Sequence, residues 1–357
     1  MILEGKTILV TGGTGSMGQT LVRRILTGEL GTPGKIIVFS RDEAKQHAMR
    51  MSYLHKLVAT DEVIYRNFMN VLEFRIGDIR NYADICSAVK SADIVVNAAA
   101  MKQVPACEYF ATQAVMTNCL GAANIVRALE ENDYPVSTVV AVSTDKACKP
   151  LNVMGMTKAI QERIIISANI LNPHTRFICV RYGNVLASRG SVIPLFHEQI
   201  KNGGPVTITV PGMTRFLMNL DQAVDTVFAA LRGARRGETY IPTAPATNIL
   251  NLAQALIGDR KIEIINTGIR PGEKMHEILI SEEEAPRCVK RGDYYAIKPI
   301  LPELCVGYKE EPAALTKEFS SDDAALDLAG TVALLKKHAL MIEDGGGGLS
   351  QGEELLR

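Results

Sequence analysis

The sequence contains no tryptophan, and aromatic residues make up only 5% of its 357 positions. That scarcity argues against the stacking platforms on which single-stranded nucleic acid is bound. Net charge is missing too: 39 basic residues balance 39 acidic ones, so no overall field draws the chain to nucleic acid or to an anionic membrane surface. Any anionic ligand must be held by local groups. No apolar run reaches the roughly 18 residues of a membrane span, and Ile8 to Val10 is too short for a secretory segment. Paired CxxC spacing is also absent. The seven cysteines, at 86, 107, 119, 148, 179, 288 and 305, are odd in number and scattered, which suits reduced thiols in a cytoplasm, with no metal site. The expectation is a soluble, cytoplasmic chain with neither nucleic acid nor membrane as partner.

What is present is an ordinary globular composition, 47% hydrophobic and 22% charged, long enough to bury one large core or two coupled ones. Short β-branched runs recur as TILV (7 to 10), KIIVFS (35 to 40), EFRIGD (73 to 78), DIVVNAA (93 to 99), STVVAVS (137 to 143) and FICVRYG (177 to 183). Amphipathic segments alternate with them at 17 to 30, 42 to 58, 81 to 90, 113 to 132 and 153 to 170. Strands alternating with helices predict an α/β fold of Rossmann type, a doubly wound parallel sheet covered on both faces. Residues 1 to 183 read as the dinucleotide-binding domain, completed by about 217 to 245, with a helix near 221 to 233 returning to the sheet. Residues 184 to 216 and 246 to 335 read as a smaller, irregular α/β substrate-binding region. Residues 336 to 357, with four consecutive glycines at 345 to 348, read as a flexible tail.

The first strand runs into TGGTGSMGQTLVRRIL, where Gly12, Gly15 and Gly18 open a helix at once. Glycine lets backbone approach a pyrophosphate, and the free N–H groups of the helix start favour its charge. Thr14, Ser16 and Met17 belong to the same loop. At the end of the second strand an acidic residue would select NAD, but the chain has Ser40 and Arg41, with Lys45 one turn on. A guanidinium can grip a 2′-phosphate with paired bonds, so NADP is expected over NAD, which stays possible. Arg41 and Lys45 would equally suit solvated charges at a helix start. Asp78 and Ile79 fall where the adenine would lie, and Ala98, Ala99 and Ala100 end the fourth strand below the cofactor.

The run VSTDKACKPLNVMGMTK (142 to 158) poses the chemical question. Many nicotinamide enzymes hold a tyrosine four residues before the final lysine, and here that position is Met154. A thioether has no exchangeable proton and cannot do a phenol's acid/base work. Either the protein is not an enzyme, or another residue moves the proton.

Together with AAAMKQVP (98 to 105), VRYGNVLASRGSVIPLF (180 to 196), MTRFLM (213 to 218) and RPGEKMHE (270 to 277), these motifs resemble the extended short-chain dehydrogenase/reductases. Over roughly residues 3 to 300 they resemble in particular the soluble UDP-N-acetylglucosamine 4,6-dehydratases of bacterial surface-sugar synthesis. The similarity is greatest to the branch making capsule precursors, where methionine likewise replaces the tyrosine. The resemblance implies a redox-neutral elimination on a recycled cofactor: C4 is oxidised, the C5 hydrogen and C6 hydroxyl leave, and hydride returns to C6. Asp145 and Lys146 fall on the family's acid and base. A carboxylic acid donates usefully if its pKa is raised, and a lysine is a useful base if its pKa is lowered. Adjacent residues at a strand end point apart, so both must sit on irregular backbone to converge on one sugar.

Lys158 matches the lysine that holds the nicotinamide ribose. Thr144 is the candidate to relay the 4-hydroxyl proton, or else only orients it, while Met154 fills the tyrosine's volume against the sugar or nicotinamide. Lys102, Asn184, Arg189, Gly190, Ser191, Arg270 and Glu273 match substrate-contacting segments, and Arg215 suits either a diphosphate or a subunit contact. The resemblance also implies a UDP-sugar partner and a homo-oligomer, hexamer or dimer. Three alternatives stay open: a UDP-sugar epimerase, a 5,6-dehydratase on the same scaffold, and a non-catalytic NADP-binding sensor.

Overall fold

The computed structural model describes residues 1–54, 68–186, 192–306, 308 and 311–342. Six strands in the first half are β1 (Thr7–Thr11), β2 (Lys35–Ser40), β3 (Leu72–Ile76), β4 (Ile94–Asn97), β5 (Thr138–Val142) and β6 (Arg176–Val180). Between them run α1 (Ser16–Leu26), α2 (Glu43–Leu54), α3 (Tyr82–Val89), α4 (Val104–Tyr109), α5 (Ala111–Ala114), α6 (Gly121–Glu131) and α7 (Val153–Leu171). The second half adds β7 (Asn184–Val185), α8 (Val192–Lys201), β8 (Val206–Ile208), β9 (Thr214–Met218), α9 (Leu220–Gly233), β10 (Thr239–Pro242), β11 (Ala246–Asn248), α10 (Ile249–Ile257) and β12 (Ile264–Asn266). It closes with β13 (Ile278–Ile280), β14 (Cys288–Arg291), β15 (Tyr294–Ile297), β16 (Phe319–Ser320), β17 (Ala325–Leu326) and α11 (Leu328–Lys337).

The main sheet has the order β14-β15-β10-β6-β5-β4-β1-β2-β3. Pairing is parallel from β3 to β10. Successive strand residues feed opposite layers: Ile8, Val10, Ile36 and Val38 pack in one apolar cluster, while Leu9, Ile37 and Phe39 pack in the other. Both faces are therefore covered, which is why these strands read as continuous apolar runs. The chain reverses direction across the sheet between β1 and β4, and crevices at such reversals are where open α/β sheets bind ligands.

Several boundaries differ from the sequence reading. The first helix stops at Leu26, short of 30, because Gly28 takes a φ of +76° that a helix cannot continue through. The segment expected as one helix from 113 to 132 is three pieces, with residues Val115–Leu120 widened to a π-helix between α5 and α6. The end of the second expected helix, 55 to 58, lies outside the described residues.

The hairpin of β14 and β15, assigned from sequence to the substrate region, instead extends the main sheet as an antiparallel edge on β10. Antiparallel strands can be appended without a crossover helix, so the alternating rhythm gave no sign of them. A separate four-stranded sheet, β17-β11-β9-β7, carries the second region. Residues 336 to 342 are no loose tail: Leu340 is buried with Leu335 beneath α10, and its carbonyl meets His197 Nε2 at 2.9 Å. The glycine run at 345 to 348 lies outside the described residues.

Candidate functional site

At the end of β1, Gly12 adopts a φ of +65°, and a Cβ there would stand 2.7 Å from the backbone N of Ala99. A Cβ on Gly18 would stand 2.5 Å from the Gly12 carbonyl oxygen. Main chain alone thus fits this cradle across the β1 and β4 reversal, joined by Thr11 Oγ1 donating to Asn97 Oδ1 at 2.7 Å. Gly15 precedes α1 without any side-chain cap, leaving the first N–H groups of the helix directed outward. Gln19 Nε2 fixes the Thr14 carbonyl at 2.8 Å, while Ser16 and Met17 begin the helix. Backbone donors in a concavity that side chains cannot enter are what a pyrophosphate requires.

Beside the cradle, Ser40 is buried and its hydroxyl accepts from Gln46 Nε2 at 3.2 Å. Arg41 is exposed, with Nη1 3.7 Å from Asp78 Oδ2. Lys45 turns to its neighbour Asp42 at 2.7 Å. Asp78 is gripped by Arg80, Nε to Oδ1 at 3.0 Å, and Ile79 is buried under Gly121.

The chemistry-bearing residues lie just beyond β5. Thr144 caps a single 3-10 turn, Asp145–Ala147, by accepting from the Lys146 amide. On that irregular backbone the two side chains converge: Lys146 Nζ donates to Asp145 Oδ1 at 3.0 Å, and Thr144 Oγ1 donates to the same oxygen at 2.9 Å. Gly155 lets α7 cross at this point, since a Cβ there would collide with the Lys146 carbonyl. Asn184 Oδ1 accepts from Lys146 Nζ at 3.1 Å. A residue that the sequence reading quoted only as the last letter of RPGEKMHE completes the group. Glu277 is buried, with Oε1 3.2 Å from Lys146 Nζ. Its signal was only a carboxylate four residues beyond Glu273, and nothing local marks it as turned inward.

Asp145 is fully buried. Burial pushes its carboxyl above the ordinary range, and the Glu277 charge adds to this, against the pull of Lys146 and Thr144. Glu277 goes the other way: burial would raise it, but Lys146, Arg215 and Lys274 hold it below its usual value. The expected lowering of Lys146 is reversed. Burial does pull its ammonium down, but the Asp145 and Glu277 carboxylates outweigh that, so its pKa is raised. Burial does depress Lys158, to about 8, with Nζ donating inward to Val142 O at 2.5 Å and Gln161 Oε1 at 2.7 Å, and it lowers Lys274 as well.

Met154 is buried with Cys107 and Ala114, flanked by Met101, Val104 and Val153. Arg215, open in the sequence between a diphosphate and a subunit contact, lies within the Glu277 group. It is buried, donates to the Thr214 and Met275 carbonyls, and stands 3.9 Å from Glu277 Oε1. Arg270 is exposed, and its carbonyl accepts from the Glu273 amide at 3.1 Å in a turn. That turn is tied to the start of α7 by Asn152 Nδ2, donating to the Gly272 carbonyl at 2.8 Å. Lys102 is exposed just before α4, outside the Asp145 group. Arg189, Gly190 and Ser191 lie outside the described residues. Among the described residues no cluster of metal-ligating side chains occurs, and no helix is long and apolar enough to cross a membrane.

Residues 8–299 match the family described as polysaccharide biosynthesis protein. The chain is 44% identical over 297 residues to a protein of Rickettsia conorii named UDP-glucose 4-epimerase, covering 82% of each. A homologue of that name from Rickettsia prowazekii is also 44% identical over 82% of both chains. Among solved structures, Pen from Bacillus thuringiensis superposes with a TM-score of 0.84 at 33% identity, over 96% of this chain and 100% of that one. A dTDP-glucose 4,6-dehydratase from Streptomyces venezuelae, solved with NAD and TYD, shares the fold at 20% identity with a TM-score of 0.62, over 75% and 86%. The chain belongs to the polysaccharide biosynthesis protein family, and with it to the extended short-chain dehydrogenase/reductases that modify nucleotide sugars.

Proposed function

We propose that the chain is a 4,6-dehydratase acting on UDP-GlcNAc or a related UDP-HexNAc, with a tightly held nicotinamide dinucleotide used again at each turnover. The glycine-lined cradle of Gly12, Gly15 and Gly18 and the alanines at the end of β4 would hold the dinucleotide, and Arg41 favours NADP. When bound, that group supplies a hydride acceptor for C4 and a hydride donor for C6.

One observation carries the reading: the buried Asp145 carboxyl, its pKa pushed up by burial, sits beside a lysine and a hydroxyl. Its Oδ1 accepts from both Thr144 and Lys146, so an acid proton would sit on Oδ2, which is buried with no partner among the described residues. An O–H so placed serves as the acid for a departing hydroxyl. Thr144 takes the 4-hydroxyl proton as C4 is oxidised. The C5 proton goes to Lys146 once its own proton has moved on to a neighbouring oxygen. Asp145 converts the departing C6 hydroxyl to water, and the ketone left at C4 stabilises the electron pair released at C5.

A second reading is favoured by the names of the Rickettsia homologues: a 4-epimerase on a UDP-sugar. That reaction returns hydride to C4 and needs no acid at C6, so a protonated Asp145 would have no task in it. Proton NMR of UDP-GlcNAc and of UDP-glucose in deuterium oxide, with purified protein and no added cofactor, separates the two. A C6 methyl with deuterium at C5 supports elimination. Inversion at C4 without deuterium supports the epimerase, and a vinylic signal without a methyl supports 5,6-dehydration.

A further inference from the structure

Four polar groups beyond β5 form one unbroken line. Thr144 Oγ1 meets Asp145 Oδ1 at 2.9 Å, Lys146 Nζ meets that oxygen at 3.0 Å, and the same Nζ meets Glu277 Oε1 at 3.2 Å. The far end comes from a segment 131 residues away in sequence, just before β13, and is 2% exposed. Its second oxygen, Oε2, is buried with no hydrogen-bond partner among the described residues. A buried carboxylate that leaves an acceptor unsatisfied costs stability. It is tolerated more readily where a proton is to be received.

Resting on the dehydratase reading, we propose that Glu277 is the proton store of the reaction, holding the 4-hydroxyl proton from the oxidation at C4 until the sugar is complete.

The steps balance. In this scheme Asp145 starts as the neutral acid, Lys146 as an ammonium and Glu277 as a carboxylate, whose pKa Lys146, Arg215 and Lys274 hold below its usual value against burial. As C4 gives up hydride, Lys146 passes a proton to Glu277, Asp145 gives its own proton to Lys146, and Thr144 refills Asp145 from the 4-hydroxyl. In the elimination, Asp145 Oδ2 gives its proton to the C6 oxygen and water leaves. Asp145 Oδ1 receives one from Lys146, and Lys146 takes the C5 proton. After hydride reaches C6, Lys146 returns a proton to C5 and recovers one from Glu277. Each group ends with the charge it began with, the Asp145 carboxyl turning to bring its proton back to the outer oxygen, and no net proton leaves the protein before water is released. The charged and titratable groups facing Lys146 are Asp145, Glu277, Arg215 and, beyond Glu277, Lys274. Of these only Asp145 and Glu277 touch Nζ, and with Asp145 serving as the acid, Glu277 is the available acceptor. Here it is a positioning residue, acting through Lys146.

The test follows protons in solution. Holoenzyme is mixed rapidly with UDP-GlcNAc in weakly buffered medium, while an indicator dye reports released protons and absorbance reports reduction of the dinucleotide. Wild type should reduce the dinucleotide with no proton burst. Glu277→Gln, lacking a store, should release close to one proton per site, oxidise C4 faster as pH rises, and form the C6 methyl about 100-fold more slowly. Glu277→Asp should abolish the burst again. A stoichiometric burst from the wild type, which needs no variant to fold, overturns the proposal, as does a Gln variant that matches wild type in dye signal and pH profile. If wild type neither reduces its dinucleotide nor changes the sugar, it is the dehydratase reading that has failed, and the proton store goes with it.

Discussion

Arg181 and Glu284 meet in a paired contact, Nη1 to Oε2 at 2.8 Å and Nη2 to Oε1 at 2.9 Å, and neither is more than marginally exposed. On its other side Arg181 is paired with Glu162, Nη2 to Oε2 at 2.6 Å, and it also donates to the Leu279 carbonyl. One guanidinium therefore fastens the end of β6, helix α7 and the segment after β13, the three pieces that bring Lys146 and Glu277 together.

The first prediction concerns acid. Burial would raise Glu284, but Arg181 more than offsets it, placing the carboxyl at about 2 against an ordinary 4.5. A depressed folded value contributes stability that is fully present above about 4.5 and is lost as pH falls toward 2. The contribution is on the order of 3 kcal/mol. Denaturant titrations at several pH values across that window should show the loss. Glu284→Gln should remove most of this slope and, by leaving Arg181 half unpaired, lower stability by about 3–5 kcal/mol at neutral pH. An unchanged slope in the Gln variant would count against the assignment.

Thr144 supplies the second. Its hydroxyl is the only described contact by which a proton can enter at Asp145 Oδ1 from the side away from Lys146. Thr144→Val keeps the shape and removes the O–H. Reduction of the dinucleotide on mixing with UDP-GlcNAc should slow by about 100-fold, with Thr144→Ser restoring most of the rate. Equal rates for Val and Ser would reduce Thr144 to a spacer.

Cofactor binding gives the third. A Cβ at position 12 would meet Ala99 main chain at 2.7 Å, and neither strand can yield without breaking the sheet. Gly12→Ala should purify without dinucleotide and melt at a lower temperature than the holoenzyme. Arg41→Asp should weaken NADP by roughly 10- to 100-fold while leaving NAD within a few-fold, since one charge-assisted contact of about 1.5–3 kcal/mol is at stake. Fluorescence titration with both dinucleotides reads the ratio. A ratio that does not change would leave Arg41 as a surface charge paired only with Asp78.

How much of this was legible in the sequence depended on whether the cause was local. The parallel sheet and the Gly12 to Gly18 loop were readable because strand period, helix start and glycine spacing act within a few residues. Asp145 and Lys146 were readable as a pair on irregular backbone, but the direction of the Lys146 shift was not. That depends on the balance of burial against Asp145 and Glu277, and Glu277 comes from a segment held by Arg181 on Glu284, 103 residues apart. Arg215 was unreadable for the same reason: nothing local in MTRF says that the fold sets it 3.9 Å from Glu277. The β14 and β15 hairpin was missed because joining a parallel sheet at its edge leaves no trace in local periodicity.

Met154 carries the last prediction. A tyrosine at this position would act through its O–H, but Met154 packs in an apolar cluster with Cys107 and Ala114, with Met101, Val104 and Val153 against them. Met154→Leu conserves volume and apolarity, so turnover should match wild type and stability should fall by less than about 1.5 kcal/mol. Met154→Tyr adds volume to a buried site and places a hydroxyl among apolar side chains. It should cost roughly 1–3 kcal/mol in overpacking and bring no gain in the rate of C4 oxidation. Thermal melts and single-turnover dinucleotide reduction on both variants read the two effects separately. A Tyr variant that oxidises C4 faster than wild type would mean that the phenol reaches the sugar from this helix after all, and that Thr144 is the weaker of two possible routes for the proton.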